Sequence, residues 1–570
     1  MIWKWFILMC LALAGAGLAA AASDGAALIT VTGSKLSGSD WTVTCSLADG
    51  GQASAIQWTL DGQLLDKSAI TVNGSEIRIA LNQLRDGAHE LNGWASGADG
   101  IKTPLVRRAV NTGPFDWSQA VIYFVITDRF FDGDAENNKD VDLTAKGTYH
   151  GGDLKGLTAK LDYLADLGIN ALWITPILDN IDYPVFGAGF PDWGYHGYWA
   201  ANFDKMDEHV GALEDMNALV SKAHDLGIRV LLDVVVNHCG YNARWTNDRE
   251  WVRSSELGTC GQDDLTTCIS GLPDFRTEKP EVAEFLISAQ VKWAEETGVD
   301  GFRLDTVKHV EPTVWKELRK RIRATNPAFF MIGEHWGADV PTLQAYFADD
   351  VMDSGFEFAF GPSALGFLSG RGRTVAFDRY LQSRHQVPAG YYVSQYLDSH
   401  DVPGFLFQAE GDKRKLANAA VLLLTTLGQP MIYYGNEVGR PGGDWPDNRS
   451  DMLWGDAQDA QLLEHFRRLV FARRAHPSLT SGTHRAISTE GDVYVFAREL
   501  ADASDAAVVA VNRGAAPISV SIDLPQPLAG MSTVLEVTSG KQWPVADGKL
   551  TADLPAATAW CFVAPISAVL

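Results

Sequence analysis

The sequence predicts an α/β protein: a closed (β/α)8 barrel of the TIM type, carrying a small inserted domain after its third strand and flanked by an N-terminal and a C-terminal β-sandwich. Three observations predict it. From 113 to 478, short apolar runs alternate with amphipathic stretches through eight βα units. The stretch from about 239 to 277 is too long for a simple connection and reads as an inserted domain. On either side, at 23–112 and 479–570, short alternating strands are punctuated by turn dipeptides. A chain of 570 residues also exceeds what one compact core accommodates, so several domains are expected.

In chain order, residues 1–22 hold one cation, Lys4, an apolar run from Phe6 to Leu18 and the small-residue run Ala20-Ala21-Ala22. That is the pattern of a cleaved signal peptide, and the apolar run is short for a membrane span. A secreted or periplasmic protein without membrane contact after cleavage is expected. The first sandwich is carried by runs such as Trp41 to Cys45, Ile56 to Leu60 and Glu76 to Ile79, broken at Asp61-Gly62, Asn73-Gly74 and Asp86-Gly87. Trp58, alternating with Ile56 and Leu60, is expected in its core. Thr112-Gly113-Pro114 ends this pattern. The barrel strands are expected at Val121 to Ile126, Ala171 to Ile174, Val230 to Val236, Gly301 to Leu304, Phe329 to Ile332, Phe356 to Phe360, Tyr391 to Tyr396 and Met431 to Tyr434. Val493 to Ala497 and Ala507 to Val511 are the clearest strands of the final sandwich.

A formal charge of −24 excludes nucleic acid and anionic membrane as partners, because both require a basic surface. Cys260 and Cys268 lie close together in a polar loop, as a disulfide or as two free thiols. Cys45, Cys239 and Cys561 are far apart and expected to be buried singly. No cysteine spacing resembles a zinc site.

The chemistry collects at the C-terminal ends of the barrel strands, where function sits in this fold. The third strand ends Asp233-Val234-Val235-Val236-Asn237-His238, the fourth Arg303-Leu304-Asp305, the fifth Gly333-Glu334-His335-Trp336 and the seventh Asp398-Ser399-His400-Asp401. Arg303 and Asp305 share a strand face, so the guanidinium can keep a buried carboxylate ionised, as a nucleophile requires. Any one of these segments could be a structural ion pair. Four of them on one rim are the layout of an active site.

These segments resemble, in their usual order, the short motifs of the α-amylase family of glycoside hydrolases, and the resemblance spans about 113–567. Tyr195-His196-Gly197-Tyr198-Trp199 resembles the family's segment beneath the reacting sugar, and Leu272-Pro273-Asp274-Phe275 its motif in the inserted domain, where the family usually has Leu-Asn after the Asp. The resemblance implies Asp305 as nucleophile, Glu334 as acid and then base, and Asp401 as the carboxylate that steadies an oxocarbenium-like transition state. It implies sugar contacts from His196, Tyr198, His238, Arg303 and His400, with Lys308 on the leaving-group side. Glu334 must rest protonated, and two nearby anions are expected to favour its proton while Arg303 holds Asp305 ionised.

Asp132-Gly133-Asp134-Ala135-Glu136-Asn137-Asn138 and Gly151-Gly152-Asp153 gather oxygen-bearing groups around flexible turns. By themselves they are a solvated turn or a calcium site. The resemblance implies calcium, held by Asp132, Asp134, Asn137, Asn138, Asp153 and the Gly151 carbonyl. It implies a second site at Asn237, Asp274 and the His309 carbonyl. The activity implied is retaining hydrolysis of α-1,4-glucosidic bonds in starch, glycogen or maltooligosaccharides by an exported monomer. A glucanotransferase or a cyclodextrin- or pullulan-acting enzyme is the alternative, followed by a non-catalytic carbohydrate-binding protein on the same fold.

Overall fold

The computed structural model describes residues 29–47, 56–96 and 102–565. The expected signal peptide at 1–22 lies outside the described residues. At the centre, eight parallel strands close into a barrel in strict sequence order. They are β1 (Ile122–Val125), β2 (Ala171–Ile174), β3 (Arg229–Val234), β4 (Gly301–Leu304), β5 (Phe330–Gly333), β6 (Ser354–Glu357), β7 (Tyr392–Tyr396) and β8 (Gln429–Tyr433). Almost every residue of these strands is buried, because helices cover the outside while side chains fill the inside. Inside, Phe124 stacks on Trp173 at 3.6 Å, and Ser354 donates to Gln429 at 2.7 Å.

The covering helices are α1 (Leu154–Leu167), α2 (Leu213–Asp225), α3 (Pro280–Thr297), α4 (Pro312–Thr325), α5 (Val340–Ala348), α6 (Phe360–Leu368), α7 (Thr374–Ser383), α8 (Lys413–Thr425) and α9 (Ala460–Ala475). Pro at the first turn starts α3 and α4, where a missing N–H leaves no bond unmade. The Asp153 carboxylate caps α1 by accepting from Gly156 N at 2.6 Å.

The sixth strand departs from expectation. It lies at Ser354–Glu357, and Phe360 opens α6 instead of closing the strand. The strand itself is buried but holds a single large apolar side chain, Phe356, whereas the apolar run Phe358-Ala359-Phe360 lies in the turn and the buried start of that helix, so hydrophobicity alone does not mark the boundary.

Before the barrel, two four-stranded antiparallel sheets face each other around Trp41, Trp58, Ile77 and Ile79. Trp58 is 2% exposed. Its ring lies against Gly93, where a Cβ would come within 2.9 Å of it. Arg108 ties this unit to the barrel through Asp166 at 2.8 Å. After the barrel, an eight-stranded antiparallel sheet packs Ala559, Cys561 and Val563 into the main core, and the Asn418 side chain on α8 bonds both Ala557 O and Ala559 N. Between β3 and α3, Val252–Arg253 pairs with Asp274–Phe275. Cys260 and Cys268 form a disulfide with Cα atoms 5.4 Å apart, and Cys45, Cys239 and Cys561 are buried free thiols. Among the described residues no helix is long and apolar enough to cross a membrane.

Candidate active site

Arg303 organises the rim. Its Nη1 lies 2.6 Å from Asp305 Oδ1 and 3.0 Å from Asp233 Oδ1, and its Nη2 lies 3.1 Å from Glu334 Oε2. One guanidinium, 2% exposed at its side chain, thus joins carboxylates from the ends of β3, β4 and β5. Thr306, just after β4, adopts a left-handed conformation (φ 46°, ψ 47°) that a β-branched residue rarely takes. The turn aims its N–H at Glu334 Oε2, 3.1 Å away. Beyond β7, Asp401 is held by Arg449 Nη2 at 3.2 Å and by His400 Nε2 at 3.1 Å. Arg449 also donates from Nε to His400 O at 2.9 Å, which fixes the turn carrying both residues.

Burial pushes the Glu334 carboxyl up to about 8, the Asp305 and Asp401 charges add to the rise, and Arg303 opposes it. This corrects the expectation in two respects. Desolvation outweighs the neighbouring anions, and Arg303 serves Glu334 as well as Asp305, so it is no simple divider of the two. Burial also lifts Asp233 to about 7 against the pull of Arg303. His196 and His400 are driven well below the usual imidazole range by burial and then by Arg449, so both are neutral hydrogen-bonding rings.

The expected sugar-contacting residues converge. The Tyr198 ring stacks on His400 at 5.3 Å, and its hydroxyl donates to Asp233 Oδ2 at 2.7 Å. His196 Nδ1 accepts from Tyr198 N at 3.0 Å, and His238 Nε2 lies 3.2 Å from Tyr198 O. Lys308 stands apart from this group, 3.3 Å from Asp264. Sequence reasoning missed Asp233 and Arg449. Asp233 carries a signal in retrospect: it lies one residue before the end of β3, in register with Arg303 on β4. Arg449 lies in an irregular loop after β8, and no spacing marks it.

The first expected metal site offers an oxygen-rich cradle. Asn137 Oδ1 and Asn138 Oδ1 are buried without a hydrogen-bond donor. Gly151 (φ 89°) sits where a Cβ would come within 2.6 Å of Asn138 Oδ1 and 3.3 Å of Asp132 Oδ2. Asp153 Oδ2 faces the same turn, accepting from Asp134 N at 2.8 Å. The Asp134 carboxylate is turned to Lys155. Among the described residues no three His, Cys, Asp or Glu side chains converge as a metal would need. What the turn offers an ion is therefore largely amide and main-chain oxygen, a donor set that fits calcium.

The second expected site does not fit a cation. Arg253 Nη1 lies 2.8 Å from Asp274 Oδ2, and Asn237 points its NH2 at Asp274 Oδ1 (2.8 Å) and at His309 O (3.0 Å). Both Asp274 oxygens and the His309 carbonyl thus already accept hydrogen bonds from the protein.

The family model described as the alpha amylase catalytic domain matches residues 124–256 and 260–470. The chain is 31% identical to the periplasmic alpha-amylase of Escherichia coli (strain K12), over 69% of this chain and 72% of that one. It is also 31% identical to neopullulanase 2 of Thermoactinomyces vulgaris, over 78% and 77% of the two chains. Among solved structures, an Anoxybacillus alpha-amylase superposes with a TM-score of 0.69 at 31% identity, covering 79% of this chain and 98% of that one.

Proposed function

The chain belongs to the alpha-amylase family of glycoside hydrolases, and from that premise we propose that it is an exported retaining enzyme that cleaves α-1,4-glucosidic bonds in starch, glycogen or maltooligosaccharides. The observation that carries the proposal is the single buried guanidinium joining Asp305 to a Glu334 whose proton is retained at neutral pH. In the first step an Asp305 oxygen attacks the anomeric carbon while Glu334 delivers its proton to the glycosidic oxygen, and the C–O bond breaks. The leaving chain departs as an alcohol and the sugar stays as an ester on Asp305. Glu334, now a carboxylate, takes a proton from water as that water attacks the same carbon, which frees Asp305 and restores the original configuration. Asp401, steadied by Arg449, supplies negative charge beside the cationic transition state. Tyr198 gives the reacting sugar a flat floor, and His238 and His400 give it hydrogen bonds.

Calcium at Asp132, Asn137, Asn138, Asp153 and Gly151 O would supply positive charge that ties the loop after β1 to the start of α1. It would stabilise the fold without joining the chemistry. Export rests on the leader pattern at 1–22 and on the periplasmic relative. The second reading is an enzyme acting on pullulan or cyclodextrins or transferring to sugar acceptors, and the neopullulanase relative supports its pullulan-acting form. The test is product analysis from maltoheptaose, soluble starch, β-cyclodextrin and pullulan, with the first-formed anomer read by NMR. Freshly released α-anomer from maltoheptaose and starch is expected. A β-anomer would overturn the double displacement, and a preference for β-cyclodextrin or pullulan over maltoheptaose and starch would select the second reading.

A further inference from the structure

We propose that Asp264, on the loop closed by Cys260 and Cys268, is a substrate-binding residue of the leaving-group arm, forming with Lys308 a paired acceptor and donor for the hydroxyls of one glucose unit. The proposal rests on the α-glucan reading above. Glu334 protonates the leaving oxygen, so the departing sugars lie on the side of the cleft that continues past Glu334 into His335. The His335 ring packs edge-on against Tyr346 at 5.2 Å; burial lowers the His335 imidazole and raises the Tyr346 hydroxyl, and the Asp264 charge opposes the first shift and adds to the second.

The loop's shape is its own. Besides the disulfide, Gly261 N bonds Thr266 O at 2.7 Å, Leu265 N bonds Asp263 Oδ1 at 3.0 Å, and Thr267 N bonds Asp263 O at 3.1 Å. It is fastened to the short helical turn after β4, where Asp264 O meets His309 Nδ1 at 2.6 Å. Asp264 Oδ1 then stands 3.3 Å from Lys308 Nζ. An ion pair this open, with the two side chains 62% and 22% exposed, contributes little to stability. Its value lies in presentation. Among the described residues the Asp264 carboxylate has no other partner, so its second oxygen accepts from a sugar hydroxyl while the ammonium donates to a neighbouring one. A preformed loop does this without ordering a side chain on binding.

The experiment compares Asp264→Ala and the Cys260→Ser/Cys268→Ser pair with the wild type, measuring kcat/KM for maltotriose and maltoheptaose and recording Tm for each protein. For Asp264→Ala the ratio of maltoheptaose to maltotriose kcat/KM falls about fivefold, the scale of one net hydrogen bond at an exposed site, and the fall is carried by KM. The cysteine pair moves the ratio in the same direction. A ratio within twofold of the wild type in Asp264→Ala, or a uniform loss on both substrates accompanied by a lower Tm, overturns the proposal. Should the cysteine variant fail to fold, Asp264→Ala decides alone. A wild type inactive on both oligosaccharides overturns the underlying reading together with this one.

Discussion

Glu334 offers the most direct test, because its raised pKa translates into a pH profile. Its carboxyl moves from an ordinary value of 4.5 to about 8. At pH 6 an unshifted glutamic acid would be only ~3% protonated, whereas this one is ~99% protonated, so the environment raises the competent fraction by ~30-fold. The same shift corresponds to ~5 kcal/mol between the two protonation states, most of it from burial. The sign follows from the role: the acid must carry its proton, so kcat/KM on maltoheptaose stays level into neutral pH. It then falls about tenfold per unit above pH ~8. Glu334→Gln should lose about 10²- to 10⁴-fold and abolish the alkaline limb, since an amide does not titrate there. Asp401→Asn removes one of the charges that lift Glu334 and should shift the limb to lower pH in what activity remains. The assay is a kcat/KM profile from pH 4 to 10 for the three proteins. An alkaline limb below pH 6 in the wild type, or the same limb persisting in Glu334→Gln, would refute Glu334 as the acid and desolvation as its cause.

Four further outcomes are expected. Asp305→Asn should reduce turnover by about 10⁴-fold or more while retaining the fold and oligosaccharide binding, checked by single-turnover kinetics and calorimetry, because the amide keeps the shape and loses the nucleophile. Arg253→Leu should destabilise by about 3–5 kcal/mol in denaturant melts by stranding buried Asp274. Asp274 is already pushed up to about 7 by burial, and a raised carboxyl costs stability as pH rises from its unfolded value to its folded one. Losing Arg253 raises the folded value further, so the deficit should widen between pH 7 and 9; a constant deficit would exclude this linkage. Chelator should lower Tm, by an amount equivalent to ~2.7 kcal/mol where calcium was at a hundred times its Kd. Gly151→Ala, whose Cβ would crowd Asn138 Oδ1, should melt lower and no longer respond to chelator.

The barrel was legible because its signal is local. Eight apolar runs separated by amphipathic stretches can be counted without knowing what they touch, and the (β/α)8 topology then delivers Asp305, Glu334 and Asp401 to one rim because every strand points the same way. The sixth strand was misplaced where buried strand and buried helix adjoin, since the strand holds one large apolar residue and the apolar run lies beyond it, in the turn and the helix. What the linear chain determined by itself was therefore the scaffold and the identity of the charged residues at its strand ends. The tertiary structure decided how those charges are shared. Arg303 divides itself among three carboxylates, Arg449 reaches Asp401 across 48 residues of chain, Arg253 stands where an ion was expected, and Asp264 meets Lys308 from a stapled loop. Each contact joins irregular segments or neighbouring strands at distances periodicity does not encode. The desolvation that sets Glu334's proton depends on the packing of the whole rim around it.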